Sequence, residues 1–377
     1  MRGDDMNFEE GLAVTQDRLV READSFAELL ERLRSMIPPA LIGIREWDRL
    51  LERARPLPST MAAFPFGFEL PLHEKEPGAD LGVSLVGGTM PAAHFETQGR
   101  PNGAATSSAN IARLLHQTES KESHLRQVIG RKMMLEYDVT SVPLGTRPAP
   151  GIFLRPAERP IIGDGHRLHD VRVVLDALVP AAGWNPDAAE RHQIERVYLA
   201  QEPHTRIDSL GAFPTRERAI RLAITGFRNT RDVSAFLERS RWPGQRATVA
   251  AALAGLEARG GYVSLGVHCD VSADGLHPSL GISFLAKQRI SKDPRYWLDS
   301  PHQWTAFIDS LRAENFAVPA KLTALADWPQ GPTTLFAKSG PFVMLRGIHH
   351  IKLALRGGRF DLAKGYVFMV LMAAPTY

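Results

Sequence analysis

The sequence predicts an α+β fold: a ten-stranded antiparallel β-barrel of five ββ hairpins, surrounded by an outer ring of α-helices. Three observations predict it. Apolar residues recur at helical spacing in some stretches and at period two in others, and the two patterns alternate along the whole chain. The period-two stretches come in pairs, five in all, with helical stretches between the pairs. In each pair one face is apolar and the other small, polar or charged, so the helices must cover the apolar face. If such a sheet closes, its edges vanish and the other face becomes a lumen.

Taken in order, residues 1–22 are charged and weakly patterned and read as a flexible lead-in, leaving 23–377 as one barrel domain. Ser25-Phe26-Ala27-Glu28 is a capping-box pattern that opens a helix, and Pro38-Pro39 stops it. Ile44, Trp47, Leu50, Leu51 and Ala54 mark a second helix over about 41–55. The first strand runs from Phe64 to His73, with Phe66, Phe68, Leu70 and Leu72 against Gly67, Glu69 and His73. After the turn at Glu76-Pro77-Gly78, Leu81, Val83 and Leu85 alternate with Asp80, Gly82 and Ser84. Residues 89–106 read as loop, followed by short helices at about 107–118 and 122–131. The second pair sets Met133, Leu135, Tyr137 and Val139 against Met134, Glu136 and Asp138, then continues in Ile152-Phe153-Leu154-Arg155.

Helices are expected over 168–182 and from Asn185-Pro186 to about Leu199. The third pair covers roughly 204–211 and Ala219 to Phe227, where Arg221, Ala223 and Thr225 share a face. A helix capped by Thr230 and an Ala/Leu-rich helix ending at Arg259 lead to the fourth pair. There Tyr262, Ser264, His268 and Asp270 oppose Val263, Leu265, Val267, Cys269 and Val271, and the return strand covers about 278–286. Ser300-Pro301 is expected to start a helix carrying Trp304, Phe307, Ile308 and Leu311, with a shorter helix after Pro319. In the last hairpin, closed by a Gly357-Gly358 turn, Arg346, His350 and Lys352 fall on one face. Leu345, Ile351, Leu353 and Leu355 fall on the other, which His349 interrupts; on the return strand Lys364 and Tyr366 share a face. The polar face either turns to water or lines the interior.

Composition bounds the function. Apolar residues are 44% and charged residues 23% of 377, and the net charge of +3 gives no case for a nucleic-acid partner. The single cysteine, Cys269, allows neither an intrachain disulfide nor a Cys-based zinc site and fits a cytoplasmic protein. The longest apolar run, Val367 to Pro375, is about half a membrane span and reads as a buried strand. There is no phosphate-binding Gly-rich loop, dinucleotide fingerprint, His-Glu-x-x-His or Asp-Asp-x-x-Asp. Adjacent strand positions argue against a His349-His350 metal pair, and no metal site is expected.

The element order over roughly 25–373, with an inward glutamate in Phe66-Gly67-Phe68-Glu69-Leu70, resembles the αββα prenyltransferase barrel of soluble aromatic and indole prenyltransferases. The His350-Ile351-Lys352 and Ala363-Lys364 pattern is also similar to that of bacterial proteins of unknown function. The family resemblance implies a divergent prenyltransferase of secondary metabolism. It would move a prenyl group from an allylic diphosphate to an aromatic acceptor: indole or tryptophan, tyrosine, or a peptide. It implies Glu69 as acid/base, and Arg155, Arg221, Arg346, Lys352, Lys364 and Tyr366 as the diphosphate cradle. Tyr262, Phe153, His268 and His350 are further lumen candidates, the aromatics as shields of a carbocation and the histidines as proton shuttles. No cofactor is required on this reading, with Mg²⁺ an optional partner of the diphosphate. Each residue has a structural alternative: Glu69 in an internal ion pair, Lys364 and Tyr366 on a solvated face, the histidines in the core. Asp80, Glu136, Asp138, Asp208 and Asp270 supply more acid than a diphosphate pocket needs; they either pair with the arginines, bind a metal or lie at a rim. A non-catalytic ligand-binding barrel and a terpene-cyclase-like enzyme on the same scaffold are the competing functions.

Overall fold

Pairing of the strands closes a ring. The computed structural model describes residues 8–98, 107–143, 148–286, 302–356 and 359–374. Five hairpins supply the wall: β1 (Phe66–Pro71) with β2 (Asp80–Val86), β3 (Lys132–Tyr137) with β4 (Gly151–Leu154), β6 (Arg206–Ala212) with β7 (Ile220–Phe227), β8 (Ser264–Ser272) with β9 (Gly275–Leu285), and β11 (Phe342–Arg356) with β12 (Arg359–Ala373). Each strand pairs antiparallel with the next, and β12 pairs with β1. The seam is β9 against β11, from Ile351 opposite Phe284 to Leu355 opposite Leu280. Ten strands thus form a closed antiparallel barrel. Two short strands lie off the ring: β5 (Ile161–Ile162) on β6, and β10 (Gln330–Leu335) on β11. All ten predicted strands are ring strands. The predicted Ser300-Pro301 helix start and Gly357-Gly358 turn lie outside the described residues.

The helices lie where the apolar faces require. Phe26 of α2 (Phe26–Leu33) meets Phe66 edge-on at 5.1 Å, and Trp47 of α3 (Ile44–Ala54) meets Phe68 at 6.1 Å. Both phenylalanines are 2% exposed. Every second residue of β1 is thereby fixed outward, which turns Gly67 and Glu69 inward. Burial of each such aromatic face contributes roughly 2–3 kcal/mol, enough to fix the strand's phase.

Three departures have physical causes. Residues Phe8–Glu22 form helix α1 instead of a lead-in. Leu19 is fully buried, Ser59 donates to its carbonyl at 3.0 Å, and Arg18 donates to the carbonyl of Ala374 at 3.1 Å. Those partners lie far along the chain, so the local pattern carries no trace of them. Met90–Gln98 forms helix α4 within the stretch read as loop. Its Ala92 and Phe95 are buried, but their spacing alone is too weak to mark it.

The third departure is a β-bulge in β11 at His349, between Ile348 and His350. One extra residue flips the phase of everything before it. Gly347 opposes Phe368 and faces inward, so Arg346 opposes Met369 on the helix-covered face.

Candidate functional site

The lumen wall follows from register. Glu69 stands between Asp80 on β2 and Tyr366 on β12, and Tyr366 opposes His350. Lys352 opposes Lys364 on β12 and Ser283 on β9. These side chains form one chain of contacts: the Lys364 ammonium donates to one oxygen of Glu69, the Tyr366 hydroxyl donates to the other, and the Lys352 ammonium donates to the Tyr366 oxygen. The Lys352 ammonium also lies 4.6 Å from the Tyr366 ring centre. His350 stacks on that ring at 4.1 Å and 14°, and His268 stacks on His350 at 5.6 Å.

Burial sets the electrostatics. It disfavours ionisation of Glu69, but Lys364 and Lys352, with the hydrogen bonds from Lys364 and Tyr366, hold its carboxyl well below the usual range. Burial pushes the Lys352 ammonium down to about 8, helped by Lys364 and Arg221 and opposed by Glu69. Burial and Glu69 raise the Tyr366 phenol well above its ordinary value, so it stays a donor. Burial and the charge of Lys352 keep His268 neutral at physiological pH.

Three arginines meet carboxylates. Arg221 forms a fork on Asp270 at 2.8 and 2.9 Å. Arg155 Nε donates to Asp208 at 3.1 Å, and Arg216 Nε donates to Asp138 at 3.1 Å. Asp80 accepts from the Val139 and Thr140 backbone amides at 2.7 and 3.0 Å. Glu136 differs: it is 9% exposed, and no hydrogen bond or ion pair from a described residue reaches it. Burial, then the charge of Glu69, pushes it up to about 7. It sits in a row with Phe368, Gly67 and Gly82 on one side and Gly151 on the other. A Cβ on Gly82 would meet only the Gly67 carbonyl, at 3.9 Å, so the space beside Glu136 is open.

The structure brings Glu69, Lys352, Lys364, Tyr366, His350, His268 and Arg221 to one wall. Phe153 also lines the lumen, its ring lying over Gly211 and edge-on to Phe213 at 5.3 Å. Arg155 is tied to Asp208 and half-exposed. Two residues lie elsewhere. Arg346 is on the outer face, donating to the Met36 carbonyl at 3.1 Å and to Gln330. Tyr262 precedes β8 and packs on Phe284 and Phe307 at 5.2 and 5.9 Å, in the helix layer. Gly260 and Gly261, with φ of 73° and 92°, break the alternation before the strand begins. The alternation of β3 is enough to turn Glu136 inward, but its lack of a partner among the described residues depends on the strands around it. Among the described residues no group of three or more His, Cys, Asp or Glu side chains is arranged to hold a metal ion. Among them, too, no helix is long and apolar enough to cross a membrane.

No family model matches the sequence, and no curated protein sequence matches it. Solved structures similar to this chain include 6-dimethylallyltryptophan synthase from Micromonospora olivasterospora in complex with DMASPP and Trp. It is 14% identical over 96% of both chains, with a TM-score of 0.45. The prenyltransferase PriB, in a ternary complex with L-tryptophan and dimethylallyl thiolodiphosphate, is 14% identical over 95% of this chain and 94% of its own, at 0.43. AnaPT from Neosartorya fischeri is 12% identical over 93% and 91%, at 0.46. Likenesses this distant carry no argument about activity. The fold rests on this chain's own strand pairing, which closes the αββα barrel expected from the element order.

Proposed function

We propose that the lumen transfers a prenyl group from an allylic diphosphate to an aromatic acceptor. The observation that carries this reading is the buried contact chain Lys352–Tyr366–Glu69–Lys364 on the inner wall of a closed barrel. As the allylic C–O bond breaks, its electron pair leaves with the diphosphate, and charge grows on the leaving oxygen. Lys352 has ammonium protons beyond the one given to Tyr366, and Arg221 has a nitrogen outside its fork on Asp270. Lys364 completes the cradle, with Tyr366 as a neutral donor. A diphosphate would also relieve the cost that burial imposes on the Lys352 ammonium. Glu69, held ionised, would accept a hydrogen bond from the N–H or O–H of the acceptor and orient it. Phe153 would offer a π face to the allylic cation, whereas His350 lies between His268 and Tyr366, and the Tyr366 ring already faces the Lys352 ammonium.

One observation favours a second reading, a non-catalytic barrel that binds a ligand: Arg155, Arg216, Arg221 and Lys364 already lie against carboxylates. Incubation with dimethylallyl or geranyl diphosphate and a panel of tryptophan, indole, tyrosine and aromatic peptides separates the two. Prenyl transfer predicts an acceptor whose mass rises by one prenyl unit, detected by mass spectrometry. No adduct, together with no binding of either diphosphate, would leave the ligand-binding barrel.

A further inference from the structure

We infer that Glu136, not Glu69, takes the proton that the acceptor loses; the inference rests on the prenyl-transfer reading. Glu69 accepts hydrogen bonds on both oxygens and lies between two ammonium groups, the surroundings that stabilise a carboxylate and weaken it as a base. Glu136 is more than nine-tenths buried, points into the lumen and has no partner among the described residues. A buried carboxyl left unpaired either holds a proton or waits for one. Its flanking positions are glycines: Gly82 on β2 and Gly151 on β4 oppose it directly. A Cβ on Gly82 would meet only the Gly67 carbonyl, at 3.9 Å, so the Gly82 side of the carboxyl is left uncrowded for an acceptor. Met134, next along the inner face of β3, is 39% exposed, so water reaches this part of the wall.

The groups that set its titration come from five directions: Glu69 on β1, Lys352 on β11, Arg221 on β7, Arg216 in the β6–β7 connection, and Lys364 and Tyr366 on β12. The sum leaves Glu136 near neutrality, where it exists in both forms.

In the transfer, the allylic carbon leaves its diphosphate oxygen, the electron pair departing with that oxygen. The acceptor's ring carbon uses a π pair to form the new C–C bond and becomes a cationic ring. Glu136 as carboxylate takes the proton from that carbon, the C–H pair restores aromaticity, and the neutral acid later releases its proton to water.

The test uses protein labelled with ¹³C at the glutamate carboxyls. The inference predicts a carboxyl resonance that titrates near pH 7 in the wild type and is missing from Glu136→Gln. Should that variant fail to fold, Glu136→Asp removes the same resonance and makes the assignment. In turnover, Glu136→Gln is expected to lose roughly 100-fold or more while binding dimethylallyl thiolodiphosphate as tightly as wild type. The acidic limb of the pH–rate profile near 7 should vanish with it. Product formation with no carboxyl titrating between pH 6 and 8, or a Glu136→Gln enzyme that keeps its rate and its acidic limb, overturns the role of Glu136 alone. A wild-type protein that makes no prenylated product overturns the transfer reading itself.

Discussion

At the scale of single residues, the lumen holds two carboxyls with opposite electrostatics. Glu69 is stabilised as an anion by the lysines around it, and Glu136 is destabilised as an anion by burial. The two respond oppositely to pH. The native state keeps the Glu136 proton up to about 7, while an unfolded chain releases it near 4.5, so stability falls between those values as pH rises. Glu69 adds stability that is present above the unfolded pKa and is lost only as pH falls through its depressed native value. Denaturation at pH 5 and pH 8 should therefore show the wild type losing roughly 2–3 kcal/mol relative to Glu136→Gln. An equal response of both proteins would mean that Glu136 titrates normally. The sequence placed both carboxyls inward by alternation, but which one is paired depends on strands nearly three hundred residues away.

At the scale of elements, one bulge decides which cations reach the lumen. Alternation alone put Arg346 with Lys352, because nothing local announces an extra residue at His349. Trp328 gives Arg346 its outer setting, its indole donating to the Gly347 carbonyl at 3.1 Å and its ring lying 5.8 Å from the guanidinium. Tyr262 fails for a related reason: it precedes the strand whose phase was extended over it. Strands whose alternation is unbroken, such as β1 and β2, were legible residue by residue. They yield an element-level prediction. Gly82→Leu adds a side chain whose Cβ would meet only the Gly67 carbonyl, at 3.9 Å, on a strand that glycine weakens. It should leave the melting temperature within a few degrees of wild type and abolish acceptor turnover. By contrast, Gly211→Ala drives a Cβ to 2.3 Å from the Phe153 ring and should cost about 1–3 kcal/mol. A Gly82→Leu protein with normal turnover would mean that the acceptor does not occupy this row.

At the scale of the molecule, the lumen exists because β9 meets β11. Five hairpins with the same division into apolar and polar faces made that closure legible before any pairing was known. The edge-free solution is the one that covers every apolar face and leaves no strand unpaired. Which acid pairs with which base across the wall was not legible, since each pair joins different hairpins. Closure also removes water, which is why Lys352 loses its proton so readily and why an anion there should restore it. Calorimetric titration of dimethylallyl thiolodiphosphate at pH 8.5, in buffers of differing ionisation enthalpy, tests this most directly. The lumen site predicts binding with uptake on the order of half a proton, as the Lys352 ammonium is driven back to its charged form. That uptake and most of the affinity should disappear in Lys352→Met. Absence of binding, or binding to Lys352→Met with unchanged affinity and proton uptake, would contradict the placement of a diphosphate against Lys352, Lys364 and Tyr366.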